Sequence, residues 1–368
     1  MTGRIVVFGA TGYTGRLTAE ALVERGRRPV LAGRSADKLA ALAADLGGDL
    51  VVAVADVSRP ESVRALVAAG DVLVTTVGPF AKWGDPAAEG AIGAGAHYLD
   101  STGEPPFIRR VFERHGPSAA QQGVGMLTAF GYDWVPGNLA GALALREAGD
   151  DAVRVDTGYF VTGGGSAGTM SGGTRASLAG AVGTPSFAWR DGALRTERGA
   201  ARYRTFRVRG KERPAVSVGS SEHFALPRLH PDLQEVNAYL GWFGPLSRPM
   251  QAASLAGSVA FRMPGARTLY GSVADRLVKG STGGPDEAER ARSGSHIVGI
   301  ACDGAGRQLS EVHLSGADAY SFAGRMLAWG ADRVAAGELK GTGALGPADG
   351  LGLDLLEAGC AEAGIRRA

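Results

Sequence analysis

RIVVFGATGYTG, residues 4–15, is the stretch whose reading decides the fold. Ile5, Val6, Val7 and Phe8 make a short, mostly β-branched apolar run, the pattern of a strand buried on both faces. Gly9, Gly12 and Gly15 follow at intervals of three. TGRLTAEALVERG then places Leu17, Ala21 and Leu22 at helical spacing, with Gly26 as the stop. Glycines between a strand and a helix let the backbone turn tightly and approach a ligand closely, because no Cβ intervenes. The first N–H groups of the helix and the positive end of its dipole then face that ligand, which suits a pyrophosphate. Gly9, Ala10, Thr11, Gly12, Tyr13, Thr14 and Gly15 are therefore the expected dinucleotide-binding loop. The spacing is GxxGxxG, not the better-known GxGxxG, so the strand–turn–helix setting carries the reading.

The next strand, RPVLAGRS over 28–35, ends in Arg34 and Ser35 where an acidic residue would bind a ribose 2′-hydroxyl. A guanidinium there matches a 2′-phosphate through charge-assisted hydrogen bonds, so NADP is expected rather than NAD. The other reading of Arg34 is a solvated loop arginine. Further strands are expected at 50–55, 71–76, 97–99 and 124–129, alternating with helices at 37–46, 85–94 and 107–122. Asp56 closes the 50–55 strand and either accepts from the adenine amino group or caps the next helix. Val77, Gly78, Pro79 and Phe80 close the 71–76 strand, where ligands bind in open α/β sheets, and are expected to wall the nicotinamide and its ribose. The pattern describes an α/β protein with an N-terminal Rossmann-type doubly wound parallel sheet.

After about residue 135 the pattern changes to a strand at 153–161, a glycine loop and helix at 163–182, short strand-like pieces over 184–235, and helices near 245–261 and 269–277. Residues 281–295 read as a polar linker, 296–302 and 308–314 as a hairpin, and 319–336 and 349–363 as closing helices. The expected domains are a dinucleotide-binding domain over 1–135, an inserted α+β substrate and dimerisation domain over 136–345, and a C-terminal helix, 346–368, packing back on the first. A cleft between the domains is the expected substrate site.

Composition narrows the function. The chain has 368 residues and a net charge of +2, so no broad attraction to nucleic acid is expected. Its two cysteines, Cys302 and Cys360, are far apart and suggest neither a disulfide framework nor a metal site. No run of 18 apolar residues appears. Residues 1–3 are too few for a signal peptide, and a cytoplasmic location is expected.

With these segments in hand, the chain resembles the saccharopine dehydrogenase-like oxidoreductases, and looks nearest to their trans-acting enoyl reductase branch. VVFGATGYTG with LAGRS, GPFAKWGDP, GAHYLDSTGE, GYDWVPGNLAG, SGGTRAS and GALGPADGLGLDLL are similar to that family's segments, in order. The likeness is thin over 184–295. Trp134 stands where the family usually carries a small serine, so a bulky ring fills space beside the cleft, and Gly346-Pro347 stands where Thr-Pro is usual. The resemblance implies nicotinamide-dependent hydride transfer, to C=N bonds of amino-acid adducts or to C=C bonds of lipid or polyketide chains.

None of the eight tyrosines has a lysine four residues on, so the Tyr-x-x-x-Lys proton donor of short-chain reductases is missing. Tyr132 and Asp133, in the loop after the sixth strand, are the first catalytic candidates by position; their structural reading is a ring packed at the domain seam and a helix cap. Lys82 is a second candidate, as acid or as anchor for an anionic substrate, against a plain solvated lysine. His97 reads as a satisfied buried histidine. Asp100 and Glu104 either share a proton or fix their loop. The aromatic stretch 239–263 is read as a core or dimer helix, with peripheral lipid contact as the other reading. The leading expectation is an NADP-dependent reductase of an enoyl C=C bond in a small-molecule or carrier-protein-bound substrate, acting as a homo-oligomer. The alternatives are a C=N reductase of the saccharopine type and a non-catalytic nucleotide-binding protein.

Overall fold

The computed structural model describes residues 3–163, 185–260 and 283–368. They fall into two compact units. The first comprises Met1–Gly103, Phe107–Val135 and Ala319–Gly364; the second comprises Glu104–Pro106, Pro136–Asp318 and Ile365–Ala368. The expected boundaries differ: 319–345 is expected in the second domain and 346–368 against the first. The chain returns to the first unit at Ala319 and leaves it again for Ile365–Ala368.

In the first unit, strands β1 (Ile5–Phe8), β2 (Val30–Gly33), β3 (Val52–Val54), β4 (Val72–Thr75), β5 (His97–Asp100) and β6 (Gly125–Leu127) are joined by a short strand, β15 (Gly343–Ala344). The seven-stranded sheet runs β15-β6-β5-β4-β1-β2-β3, and every pairing in it is parallel. Strands β1, β2 and β4 are buried at every position, as continuous apolar runs between two helical layers should be. β3 is an edge, and Val52 and Val54 stay exposed there. Strand order reverses between β1 and β4, so the crevice at their carboxyl ends is the switch point where ligands bind in such sheets. Helix α1 (Tyr13–Glu24) follows β1 and α2 (Ala36–Asp45) follows β2.

The helix Ala319–Ala335 belongs to this unit and packs along α1. Gly324 makes the approach close: a Cβ there would lie 2.8 Å from the Leu17 Cβ. At the far end Asp332 accepts from Arg27 Nε at 2.6 Å and from Arg25 Nη2 at 3.1 Å.

The second unit is built on strands β7 (Arg154–Gly163), β8 (Pro185–Arg190), β9 (Ala193–Arg198), β10 (Tyr203–Val208), β11 (Lys211–Val218), β12 (Glu235–Leu240), β13 (Ser293–Cys302), β14 (Gln308–Gly316) and β16 (Ile365–Arg367). The main path is β10-β11-β12-β7-β13-β14-β16, with β8 and β9 attached through β12. The β7–β12 pair is parallel, whereas β13 pairs antiparallel with both β7 and β14. Phe160, Phe206, Tyr239, Val298 and Ile300 fill one face. The other face takes helix Val135–Ala148, and a Cβ on Gly299 would lie 2.3 Å from the Ala140 carbonyl oxygen.

Two local expectations are corrected. The segment 184–235 contains a helix, Glu222–Leu229, as well as strands. The supposed linker includes the capped helix Glu287–Ala291 and the start of β13. The helix expected at 269–277, and the glycine loop and helix expected at 163–182 apart from Gly163 at the end of β7, lie outside the described residues.

Candidate active site

The glycine loop sits at the switch point because its backbone is pressed against the end of β4. Gly9 has φ +87°, a left-handed conformation that suits glycine. A Cβ on Gly9 would lie 2.8 Å from the Thr76 hydroxyl and 2.9 Å from Val77 Cγ2. On Gly15 it would lie 2.1 Å from the Gly9 carbonyl oxygen, which no side chain can tolerate. The turn is closed by the Gly12 N–H donating to the Gly9 carbonyl at 2.8 Å. Gly12 caps α1 without a side-chain hydrogen bond, and no acidic residue stands in the first turn of that helix. Nothing in that turn repels an anion, and the donors of a helix start point outward there, so the residues present fit a dinucleotide pyrophosphate.

The other expected cofactor residues lie along the same carboxyl edge. Thr76 donates its N–H to the Phe8 carbonyl at 2.9 Å, which keeps Val77 and Gly78 beside the loop, and Gly78–Pro79 is a cis peptide. Phe80 is buried and packs on Phe107, with ring centroids 5.6 Å apart. Arg34 is exposed just past β2, and the Ser35 hydroxyl accepts from the Lys38 N–H at 3.4 Å to cap α2. Asp56 accepts from the Ser58 N–H and hydroxyl, both at 2.8 Å. Those bonds hold its carboxylate below the usual range, with a smaller contribution from the charges of Arg34 and Arg59. Asp56 thus fixes its own turn; the cap position of the following helix is Arg59.

The loop between β6 and helix Val135–Ala148 carries the catalytic candidates, and Asp100 positions it. Asp100 ends β5, fully buried. It accepts from the Ala129 N–H at 2.8 Å, the Thr102 N–H at 2.9 Å and the Thr128 hydroxyl at 2.7 Å. Burial draws its carboxyl up to about 6 against those bonds. Ala129 takes φ +55°, a conformation that costs a non-glycine residue of order 1 kcal/mol and that this network over-determines. Beyond it the chain presents Tyr132, 3% exposed, with its ring edge-on to Phe322 at 6.3 Å, and then a cis peptide between Asp133 and Trp134. Trp134 is buried, so its bulk fills space inside this loop.

Asp133 is the unusual group. Its Oδ1 is buried and has no hydrogen-bond partner among the described residues. Burial pushes its carboxyl up to about 7. Its Oδ2 lies 2.8 Å from the place a Cβ on Gly103 would take, so the glycine lets the two loops approach. A carboxyl that holds its proton near neutrality is suited to giving it up.

Lys82 is exposed, with its ammonium 5.1 Å from the Trp83 ring centroid. His97 accepts the Gly125 N–H on Nδ1 at 3.1 Å, and burial lowers its pKa, in keeping with a structural role.

A third buried carboxyl, to which the sequence offers no pointer, lies in the second unit. Glu222 accepts from the Tyr159 hydroxyl at 2.7 Å, and that hydroxyl in turn accepts the Gly137 N–H at 2.8 Å. Burial raises Glu222 to about 7. The unfolded chain loses this proton near the ordinary carboxylate value while the folded chain keeps it. The contribution of Glu222 to stability therefore falls as pH rises through about 7. Glu222→Gln removes that fall. Chemical denaturation should show the variant gaining on the parent protein by about 1–3 kcal/mol between pH 5 and pH 8, and a pH-independent difference would contradict the assignment.

A parallel, doubly wound sheet with a glycine-built cradle at its switch point defines the class: a Rossmann-type nicotinamide-dinucleotide-binding unit joined to a mixed-sheet unit. Residues 9–101 match the model of a family described as NAD(P)H-binding. The resemblance read from the motifs holds. A Mycobacterium tuberculosis (strain ATCC 25618 / H37Rv) protein provisionally named a trans-acting enoyl reductase is 37% identical over 189 residues, 50% of this chain and 45% of that protein. The trans-acting enoyl reductase of Mycobacterium leprae (strain TN) is 41% identical over 140 residues, 37% of this chain and 34% of that one. The matched stretches thus span less than half of these relatives. The fold is also that of apo saccharopine dehydrogenase (L-Glu forming) from Saccharomyces cerevisiae. That likeness has a TM-score of 0.61 and covers 100% of this chain and 99% of that one, at 12% identity. No helix among the described residues is long and apolar enough to cross a membrane.

Proposed function

We propose that the protein is an NADP-dependent reductase that delivers hydride to an enoyl C=C bond of a small-molecule or carrier-bound substrate. The observation that carries this reading is the pairing, within one unit, of the glycine cradle at the β1/β4 switch point with Asp133, a carboxyl that keeps its proton to about pH 7. The similarity to trans-acting enoyl reductases supports the choice of acceptor. When bound, the reduced nicotinamide supplies the hydride. The chain's own residues bind and orient it. The loop Gly9–Gly15, with its Gly9, Ala10 and Gly12 N–H groups closing the turn on Ala32 and Gly9, presents the pyrophosphate to the amides at the start of α1, Arg34 and Ser35 take the 2′-phosphate, and Asp56 and 77–80 wall the remainder. Asp133 gives its proton to the carbon next to the thioester carbonyl, completing the reduction, and Tyr132 shapes the loop around it. Lys82 anchors an anionic part of the substrate from the exposed edge.

The saccharopine-type alternative needs arginines that clamp carboxylates. Several of the candidates between Arg190 and Arg213 are already engaged. Arg190 pairs with Glu235, Arg202 with Glu197 and Arg204 with Asp156, while Arg198 donates to the carbonyls of Ala200 and Ala201. Those partners favour the enoyl reading. NADPH oxidation measured with a panel of enoyl thioesters and imines tests it: turnover on imines alone would select the alternative, and tight NADPH binding without turnover on any acceptor would make the protein a nucleotide-binding module. Arg34→Asp should lower the NADPH-to-NADH preference about 10- to 100-fold, the worth of one charged hydrogen bond. An unchanged ratio of dissociation constants would leave Arg34 outside the coenzyme site.

A further inference from the structure

The helix Ala319–Ala335 reaches the glycine loop by running alongside α1 in the same direction. Tyr320 meets Tyr13, Gly324 meets Leu17 and Asp332 meets Arg25. Its first turn therefore arrives at the end of the sheet where the coenzyme loop lies. There the Tyr320 ring stands edge-on to Tyr13, with centroids 5.2 Å apart and planes at 83°. Two residues on, buried Phe322 stands edge-on to Tyr132, and Ala323 backs Gly131, where an added Cβ would lie 3.4 Å from the Ala323 Cβ. One helical turn thus touches both the residue after Gly12 and the loop that carries Asp133. Tyr13 and Tyr320 are only half-buried, so their contact lies at the rim of the loop and not in the core.

We propose that Tyr320 is a positioning residue for the coenzyme: its ring fixes the Tyr13 ring in the place that the bound dinucleotide requires. The inference rests on Gly9–Gly15 being the coenzyme loop. Tyr13 is the first residue of α1, so a swing of its ring changes what lies beside the helix start. An edge-to-face pair restricts that swing, and such a pair is worth a measurable fraction of a binding energy. The order this supplies is made before the coenzyme arrives, which lowers the cost of binding.

NADPH titration of the full chain, by calorimetry, over Tyr320→Ala, Tyr13→Ala and the double variant tests this. Tyr320→Ala should raise the NADPH dissociation constant about three- to tenfold and have little further effect once Tyr13 is already alanine. Tyr320→Phe, which keeps the ring, should restore affinity. Equal weakening in both backgrounds, or parent-like affinity in Tyr320→Ala, would overturn the inference while leaving the coenzyme loop intact. Absence of saturable NADPH binding to the unaltered protein would remove the loop assignment itself, and the inference with it. Tyr320→Leu, compared by thermal unfolding without coenzyme, replaces the alanine variant should that one unfold. A binding loss that follows stability and not the presence of the Tyr13 ring would also count against a positioning role.

Discussion

Gly12→Val is expected to abolish NADPH binding while the protein stays folded. A Cβ at this position would meet only the Gly9 carbonyl oxygen, at 3.1 Å, and the backbone already has an ordinary extended conformation. That contact asks the oxygen to give only a few tenths of an ångström, so the fold is expected to absorb the branch, which then occupies the mouth of the loop where phosphate oxygens must reach the amides. Losing two charge-assisted hydrogen bonds corresponds to about a 100- to 10,000-fold weaker complex. Gly15→Val should behave differently. Its Cβ would fall 2.1 Å from a backbone oxygen that cannot move without opening the turn, so stability is lost along with binding. Fluorescence titration with NADPH and thermal unfolding separate the two results. Near-parent affinity in a folded Gly12→Val protein would mean that the coenzyme does not lie over this loop.

Asp133→Asn should lower turnover on an enoyl thioester by about 100- to 10,000-fold, the usual worth of a general acid, with NADPH affinity preserved. The parent enzyme should lose activity as pH rises through about 7, because the carboxyl must carry its proton to give it away. The asparagine variant has no such proton, and its residual rate should be flat across the same range. Raised binding constants with an unaltered pH profile would make Asp133 a structural group and leave water as the proton source.

The nucleotide-binding half of the molecule is legible because its signals are local. A β-branched apolar run ending in glycine is read residue by residue: Ile5–Phe8 has the pattern of a buried strand, Gly9 and Gly12 mark the turn after it, and Gly15 falls in the first turn of α1. The same holds for Arg34 and for Val77–Phe80, whose expected roles follow from being at the end of a strand. Asp133 is legible by position only. Nothing in GYDWVPG says that one of its oxygens is buried without a partner, since that depends on Gly103 and on the network around Asp100.

The amino-acid order alone determined that the chain begins with a Rossmann-type βα unit, and it pointed to the first turn of that unit as the place for a coenzyme phosphate. The reason is that strand, turn and helix preferences act over a few residues. Only the tertiary structure decided that Ala319–Ala335 lies along α1, that Gly343–Ala344 extends the sheet beside β6, and that Tyr320 meets Tyr13. An apolar helical stripe specifies that a face must be covered and not by what. The choice of partner is made by close packing between segments hundreds of positions apart, as where Gly324 admits Leu17.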